Sequence, residues 1–255
     1  MSEPALPPIK VVARTASTQT DLLTQVSDEA AWPHLSGIRA VEQTGGRGRG
    51  QRRWDTRTMR AMTASLVLRP AMAQSRWSWL PLLAGVSVVQ VLTELGAPAA
   101  MKWPNDVVVP ADSPVPGWGP LRKVAGIRMD VVPESAVVLG IGINLAGTVP
   151  VPWAGTLDQV VSQVPDAAML LEQIRIQLDA LLALPWHAQV SGVTEHCLTL
   201  GSTVQVQTPG GREFTGLAEG LDPAGGLQVR RRDGQLEVVL AGDISHVRTP
   251  TPLAE

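Results

Sequence analysis

The 255-residue chain has no tyrosine, one phenylalanine, one cysteine, three lysines and two asparagines. Each scarcity excludes something. A single thiol, Cys197, cannot close an internal disulfide, which fits a reducing cytoplasm. It stands beside His196, but adjacent side chains rarely converge on one atom. His34, His187 and His246 show no ligand spacing either. The pair therefore reads as structural, a lone buried cysteine being ordinarily inert. No stretch is apolar enough to span a bilayer, since the longest, Trp79 to Leu95, is broken by Pro81, Ser87, Gln90 and Glu94. Met1 to Lys10 lacks a basic start followed by an apolar run, so no signal peptide is read and a cytoplasmic location without membrane partners is expected. A net charge of -2 gives no global field for nucleic acid, so any anion site must be local.

Scarcity also marks positions. Arginine supplies most of the positive charge, so a surviving lysine or asparagine is a candidate for a place where arginine does not work. An ammonium is a point charge, and a carboxamide pairs a donor with an acceptor. Lys102, Asn105, Lys123 and Asn144 all fall within one 43-residue window.

What is abundant sits upstream of that window. Gly45 to Trp54 packs four glycines and four arginines into ten residues. Glycine lets backbone N–H groups approach a ligand, and each guanidinium offers a planar fork to a carboxylate or phosphate. Trp54 adds a flat face. A solvated loop and an RGG-like nucleic-acid segment are the competing readings. No Gly-Lys-Ser/Thr makes a P-loop, and Gln51 stands where the last glycine of a dinucleotide fingerprint would fall. Rich in glycine, the loop is expected to be mobile without ligand and ordered with it.

The periodicities predict an α+β chain. Lys10 to Arg14 reads as a strand, and Ser17 or Thr18 caps a helix running to about Asp28. Strands Gly37 to Val41 and Met62 to Leu68 flank the Gly/Arg loop. A helix from Arg76 to Leu95, anchored by Trp77 and Trp79, stops at Gly96. Val107 to Val109, Val124 to Val132 and Ala136 to Leu145 read as neighbours in one mixed sheet, with an irregular, exposed and mobile loop from Pro110 to Leu121. Helices follow at Asp166 to Leu184 and Trp186 to Leu200. Beyond Leu200 the pattern changes to short strands, Gly201 to Val206, Arg212 to Glu219, Gly226 to Arg231 and Leu236 to Leu240, between Gly/Asp turns. That spacing predicts a small all-β barrel and a domain boundary near residue 200.

Lys102-Trp103-Pro104-Asn105-Asp106 precedes one central strand, Lys123 to Ile127 begins the next, and Gly140-Ile141-Gly142-Ile143-Asn144 closes the third. Together with Gln43 and Gly46-Arg47-Gly48-Arg49, these ordered segments resemble the biotin protein ligases (biotin–acetyl-CoA-carboxylase ligases). The resemblance covers nearly the whole chain.

The resemblance implies a class II synthetase-like catalytic domain over residues 1–200, a mixed sheet with packed helices, followed by an SH3-like β-barrel over residues 201–255. It implies a two-step reaction with biotin as substrate and with ATP and Mg²⁺. The biotin carboxylate attacks the α-phosphate to give biotinyl-5′-AMP, and a lysine of a biotin carboxyl carrier domain then displaces AMP. By similarity Lys123 and Arg49 are catalytic. Ser17, Thr18, Gln19, Gln43, Gly46, Arg47, Gly48, Arg49, Lys123 and Gly126 would hold biotin. Trp54, Lys102, Asn105, Asp106, Lys123 and Asn144 would face the nucleotide, although Lys102 and Asp106 could instead form a mutual salt bridge. Metal ligands are not specified. Members of the family usually carry Ser-Thr-Asn where this chain has Ser17-Thr18-Gln19, which leaves Gln19 between a ligand role and a helix cap. Ten residues before the first strand leave no room for a helix-turn-helix, so no DNA partner is expected. A homodimer is compatible with the sequence but not fixed by it. A lipoate or octanoate ligase of the same superfamily, with a more apolar tunnel, and an RNA-binding module remain the alternatives.

Overall fold

The computed structural model describes residues 6–49, 52–133, 136–208, 210–240 and 243–246. The first five residues, and Gly50 and Gln51 of the Gly/Arg segment, lie outside them.

Seven strands make the main sheet: β1 (Ile9–Thr15), β2 (Gly37–Gln43), β5 (Met59–Leu68), β6 (Ala100–Lys102), β7 (Asp106–Val115), β8 (Gly119–Val132) and β9 (Ala136–Gly147). Their spatial order is β1-β2-β5-β9-β8-β7-β6. Only β1 and β2 run parallel, so the sheet is mixed, as expected. Strand alternation divides the residues between two faces. Ala64, Leu66, Ile127, Leu139, Ile141 and Ile143 point into the larger core, which they share with helices α2 (Leu80–Glu94), α3 (Ala167–Ala183) and α4 (Trp186–His196). On the other face Ile38, Val67 and Val138 pack against Leu22 of the short helix α1 (Thr18–Leu23) and against Val26 and Trp32 beyond it. That second cluster covers one end of the face. The remainder of the face is polar or glycine and carries the site.

The ends of the Gly/Arg segment form a two-rung antiparallel ladder, β3 (Gly46–Arg47) with β4 (Arg53–Trp54). After α4 the chain builds a five-stranded antiparallel sheet from β10 (Thr203–Gln207), β11 (Glu213–Leu221), β12 (Leu227–Arg231), β13 (Leu236–Val239) and β14 (Asp243–His246), in the order β13-β12-β11-β10-β14. Among the described residues its outer strands β13 and β14 do not pair, so the small SH3-like barrel expected is seen as an antiparallel sheet without closure. Hydrogen bonds from Ser78 Oγ to Ala224 O, Trp79 Nε1 to Pro223 O and Trp103 Nε1 to Gly225 O tie its β11–β12 turn to the rest.

Several elements differ from the sequence expectation. The first helix ends at Leu23, because the side chains of Thr24 and Gln25 both donate to the Asp21 carbonyl and compete with further helical bonding. The Arg76 to Leu95 segment divides into a 3₁₀ turn, Gln74–Trp79, and α2, because Pro81 has no N–H with which to continue one ladder. Pro110 to Leu121 is no irregular loop. It is the tip of the β7–β8 hairpin, with Pro114 and Pro120 where the register is interrupted between the Pro110 and Val115 rungs and Pro116 in the turn beyond. Trp118 at this tip stacks on Trp153 with ring centroids 5.2 Å apart. The last helix stops at His196, and β14 had no sequence counterpart. Trp79 is a packing anchor, as expected, buried edge-on against Trp186.

Candidate active site

The ladder registers set Ser65, Gly140 and Arg128 side by side on the site face, and Thr63, Gly142, Gly126 and Asp106 on the next rung. Glycines at the centre of both rungs leave hollows, and side chains from elsewhere fill them. A Cβ built on Gly140 would lie 2.6 Å from Gln19 Oε1, and one on Gly142 2.5 Å from the Trp54 indole. The Trp54 ring also reaches Gly126, where a Cβ would come within 3.2 Å. Around this floor Ser17, Thr18, Gln19, Gln43, Arg47, Gly48, Arg49, Trp54, Asn105, Lys123 and Gly126 line one cavity. It measures about 50 Å³, far below the few hundred Å³ of an ordinary ligand pocket, with Trp54 lying across its floor.

Lys123 reaches this face through a β-bulge. Counting by twos from Gly126 would aim it at the opposite side. However, Val107 pairs with Ala125 and Val108 with Lys123, so Val124 is an extra residue that re-aims the lysine. Its Nζ lies 2.5 Å from Asp106 Oδ1 and 5.6 Å from the centre of the Trp54 ring, with both ion-pair partners largely buried. A carbonyl bond from Lys123 N to Trp153 O and one from Gly155 N to Lys123 O fix the backbone there.

The α1 end of the cavity is a continuous polar network. Ser17 caps the helix through its Oγ. Gln43 Oε1 accepts from both Thr18 N and Thr18 Oγ1, and Thr18 Oγ1 is 2.9 Å from Ser65 Oγ. Ser65 Oγ donates to Gln19 Oε1, while Gln19 Nε2 donates to Asp130 Oδ2 and to Val138 O. Asp130 in turn receives a two-pronged bond from Arg128, whose Nη1 donates to Gly48 O at 2.6 Å. Burial pushes the Asp130 carboxyl up, but hydrogen bonds from Arg128 and Gln19 and the charges of Arg128 and Arg47 outweigh it and hold it below the usual carboxylate range. Gly46 is required where it stands, since a Cβ there would lie 2.5 Å from Trp54 O and 2.6 Å from Gln43 Nε2.

Asn105 donates to Ile127 O at 2.7 Å. Asn144 lies two residues beyond Gly142 on the same face, 3% exposed, and donates to Gly155 O. Its Oδ1 and the Trp54 Nε1 are both buried without a hydrogen-bond partner among the described residues. Such groups are unusual in proteins and suit a ligand carrying a complementary donor and acceptor.

Lys102 goes elsewhere. It is 4% exposed, its Nζ donating to Ile244 O of the C-terminal sheet and lying 4.5 Å from the centre of the Trp118 ring. The salt bridge left open between Lys102 and Asp106 is replaced by the Lys123–Asp106 pair. Sequence reasoning missed Thr63, Ser65, Arg128 and Asp130. The last two were within reach, because strand alternation from Gly126 places residues 128 and 130 on the motif's face. Cys197 is buried, its thiol pushed up by desolvation, and among the described residues no cluster of His, Cys, Asp and Glu could hold a metal ion. No described helix is long and apolar enough to cross a membrane.

Residues 11–146 match the model of the biotin/lipoate A/B protein ligase family, and residues 199–247 that of the biotin protein ligase C-terminal domain. The chain is 31% identical to the biotin–acetyl-CoA-carboxylase ligase of Mycobacterium tuberculosis, over 94% of this chain and 89% of that one. It is 30% identical to the ligase of the same name from Paracoccus denitrificans, over 92% and 98%. The biotin protein ligase of Aquifex aeolicus, solved in complex with biotin and ATP, superposes with a TM-score of 0.71 at 25% identity, covering 94% of this chain and 99% of that one.

Proposed function

Because the chain belongs to the biotin/lipoate A/B protein ligase family and is a ligase, we propose that it activates biotin as biotinyl-5′-AMP and transfers the biotinyl group to a lysine of a biotin carboxyl carrier domain. The observation that carries this reading is the convergence of Lys123, the Gly/Arg hairpin and the Ser17–Gln43 network on one glycine floor. Joining a carboxylate to a triphosphate brings two anions together, so the site needs fixed positive charge where negative charge develops. Lys123 supplies it between the biotin carboxylate and the α-phosphate, with Arg49 assisting and Asp106 steadying the ammonium. The carboxylate oxygen attacks phosphorus and pyrophosphate leaves. The carrier lysine then attacks the acyl carbon of the mixed anhydride and AMP leaves.

The ureido ring has N–H and C=O groups that need neutral, directional partners, which Ser17, Thr18, Gln43 and the backbone of Gly46, Arg47 and Gly48 offer beside Gly126. On the nucleotide side, Asn105 frames the pocket. The partnerless Asn144 Oδ1 matches the amino group of adenine, with Trp54 moving off the floor to cover the base. Among the described residues no cluster of His, Cys, Asp and Glu forms a cage for Mg²⁺. Asp106 is already held by Lys123. Mg²⁺ would enter with the nucleotide and, when bound, would neutralise charge on the phosphates. Residues 1–200 act as the catalytic domain and residues 201–255 as a C-terminal, SH3-like one.

Pyrophosphate exchange into ATP, run with biotin and with lipoate, tests the reading. Exchange with biotin alone is expected. Exchange with lipoate alone would assign the chain to the other branch of its family, and exchange with neither would overturn activation altogether.

A further inference from the structure

Gln19 has spent its carboxamide. Both N–H groups are donated, one to Asp130 and one to the Val138 carbonyl, and Oε1 already accepts from Ser65. Nothing remains to donate to a ligand. The residue crosses the gap over Gly140, where its Oε1 occupies the room a Cβ would take, and so reaches a carboxylate on the far strand. The reach comes from a side chain one methylene longer than asparagine. Asp130 passes the connection to Arg128, and Arg128 ends on the carbonyl of Gly48 in the Gly/Arg hairpin. Arg128 thereby joins this chain of bonds to the hairpin backbone, and both Arg128 and Gly48 line the cavity.

We propose that Gln19, Asp130 and Arg128 are positioning residues that keep the Gly46–Gly48 limb of the hairpin docked on the sheet before substrate arrives, and thereby set the affinity for the acyl substrate. The effect on affinity rests on the biotin-ligase reading; the docking itself does not. Two properties fit the task. A guanidinium can hold a carboxylate with two of its nitrogens and a carbonyl with the third, which a point charge cannot do. A limb already ordered by these bonds has less conformational freedom to lose on binding, so its tethering appears in affinity and not in the chemical step.

The test combines kinetics with a readout that needs no activity. Biotin-dependent pyrophosphate exchange gives KM and kcat. Trypsin cleavage at the arginines of residues 47–53, in ligand-free protein, reports docking. Arg128→Leu is expected to raise KM for biotin about tenfold and to speed cleavage by about the same factor, the usual scale for losing charge-assisted hydrogen bonds. Its kcat should stay within about twofold. Arg128→Lys should recover part of both effects, and Gln19→Asn combined with Arg128→Leu should be no worse than Arg128→Leu alone, because the bonds lie in series. Should Arg128→Leu not fold, Asp130→Asn, which keeps the side-chain size, is expected to give the same pattern. Unchanged KM and unchanged cleavage in the folded variant, or fully additive effects, would overturn the proposal. A wild-type protein that exchanges nothing would sink the ligase reading, while the cleavage measurement would still decide the docking.

Discussion

The Lys123 ammonium sits 2.5 Å from Asp106 Oδ1, across a pair of adjacent strands and beside a glycine that leaves room for it. The ion pair is largely buried, so each partner depends on the other.

Replacing Lys123 with arginine should leave the fold intact and remove most adenylation. A forked guanidinium cannot sit as one point between a carboxylate and a phosphate. A loss on the order of 10²-fold or more in biotin-dependent pyrophosphate exchange is expected, comparable to removing a transition-state donor elsewhere. Near-normal exchange would refute the role.

Asp106→Ala strips the counter-charge from a lysine with little access to water. Breaking a buried pair one partner at a time costs about 3 kcal/mol, and urea unfolding should register a loss of that order. A variant as stable as the parent would mean that Lys123 finds another partner.

Gly142→Ala collides with the Trp54 indole, which lies 2.5 Å from the position of the new carbon. The ring must shift, at a cost of about 1–3 kcal/mol, and KM for ATP should rise more than KM for biotin. Equal effects on both substrates would separate Trp54 from the nucleotide.

Lys102→Met addresses the one motif lysine outside the cavity. Its Nζ bond to Ile244 O joins the main sheet to β14, so the substitution should lower thermal stability, by about 1–3 kcal/mol. KM for ATP should not change. A raised KM with unchanged stability would return Lys102 to the nucleotide site.

His34 supplies a pH dependence. Burial lowers its pKa most; Asp179 opposes this and Arg69 adds to it. Its Nδ1 accepts from Arg69 N, a bond that needs the neutral ring edge. Because the folded-state value is depressed, the stabilisation is fully present above the unfolded-state value, about 6.5, and is lost as pH falls through the folded value. Urea unfolding between neutral and mildly acidic pH should show stability falling, and His34→Gln should flatten that slope. A slope unaltered by the substitution would assign it to other groups.

Much of this was legible in the sequence. The Gly/Arg loop stood out by composition, and Lys102, Lys123 and the two asparagines were visible as residues that a composition rich in arginine would otherwise have replaced. Strand alternation was legible too, and placed Gly126, Gly140 and Gly142 in strands. What was hidden depends on register. Lys123 points into the site only because Val124 bulges, and Lys102 points away because β14, more than a hundred residues on, offers it a carbonyl. The proline-rich stretch from Pro110 read as a loop because prolines break ladders, yet a bulge and the Trp118–Trp153 stack let the hairpin continue through it. Gln19 looked like a departure from a motif. Its partners, Ser65 and Asp130, come from two other strands, and no local pattern announces them.

The floor made by Gly126, Gly140 and Gly142 works as a blank mould. Its backbone ladder is unchanged by what lies on it, and the contours a ligand would meet are cast by Gln19 from α1, Trp54 from the hairpin and Lys123 from the bulge. A change of preferred acyl group is therefore best sought in those borrowed side chains, with the sheet beneath left as it is. A bulkier residue in the glycine rungs would instead fill the mould before any ligand arrived.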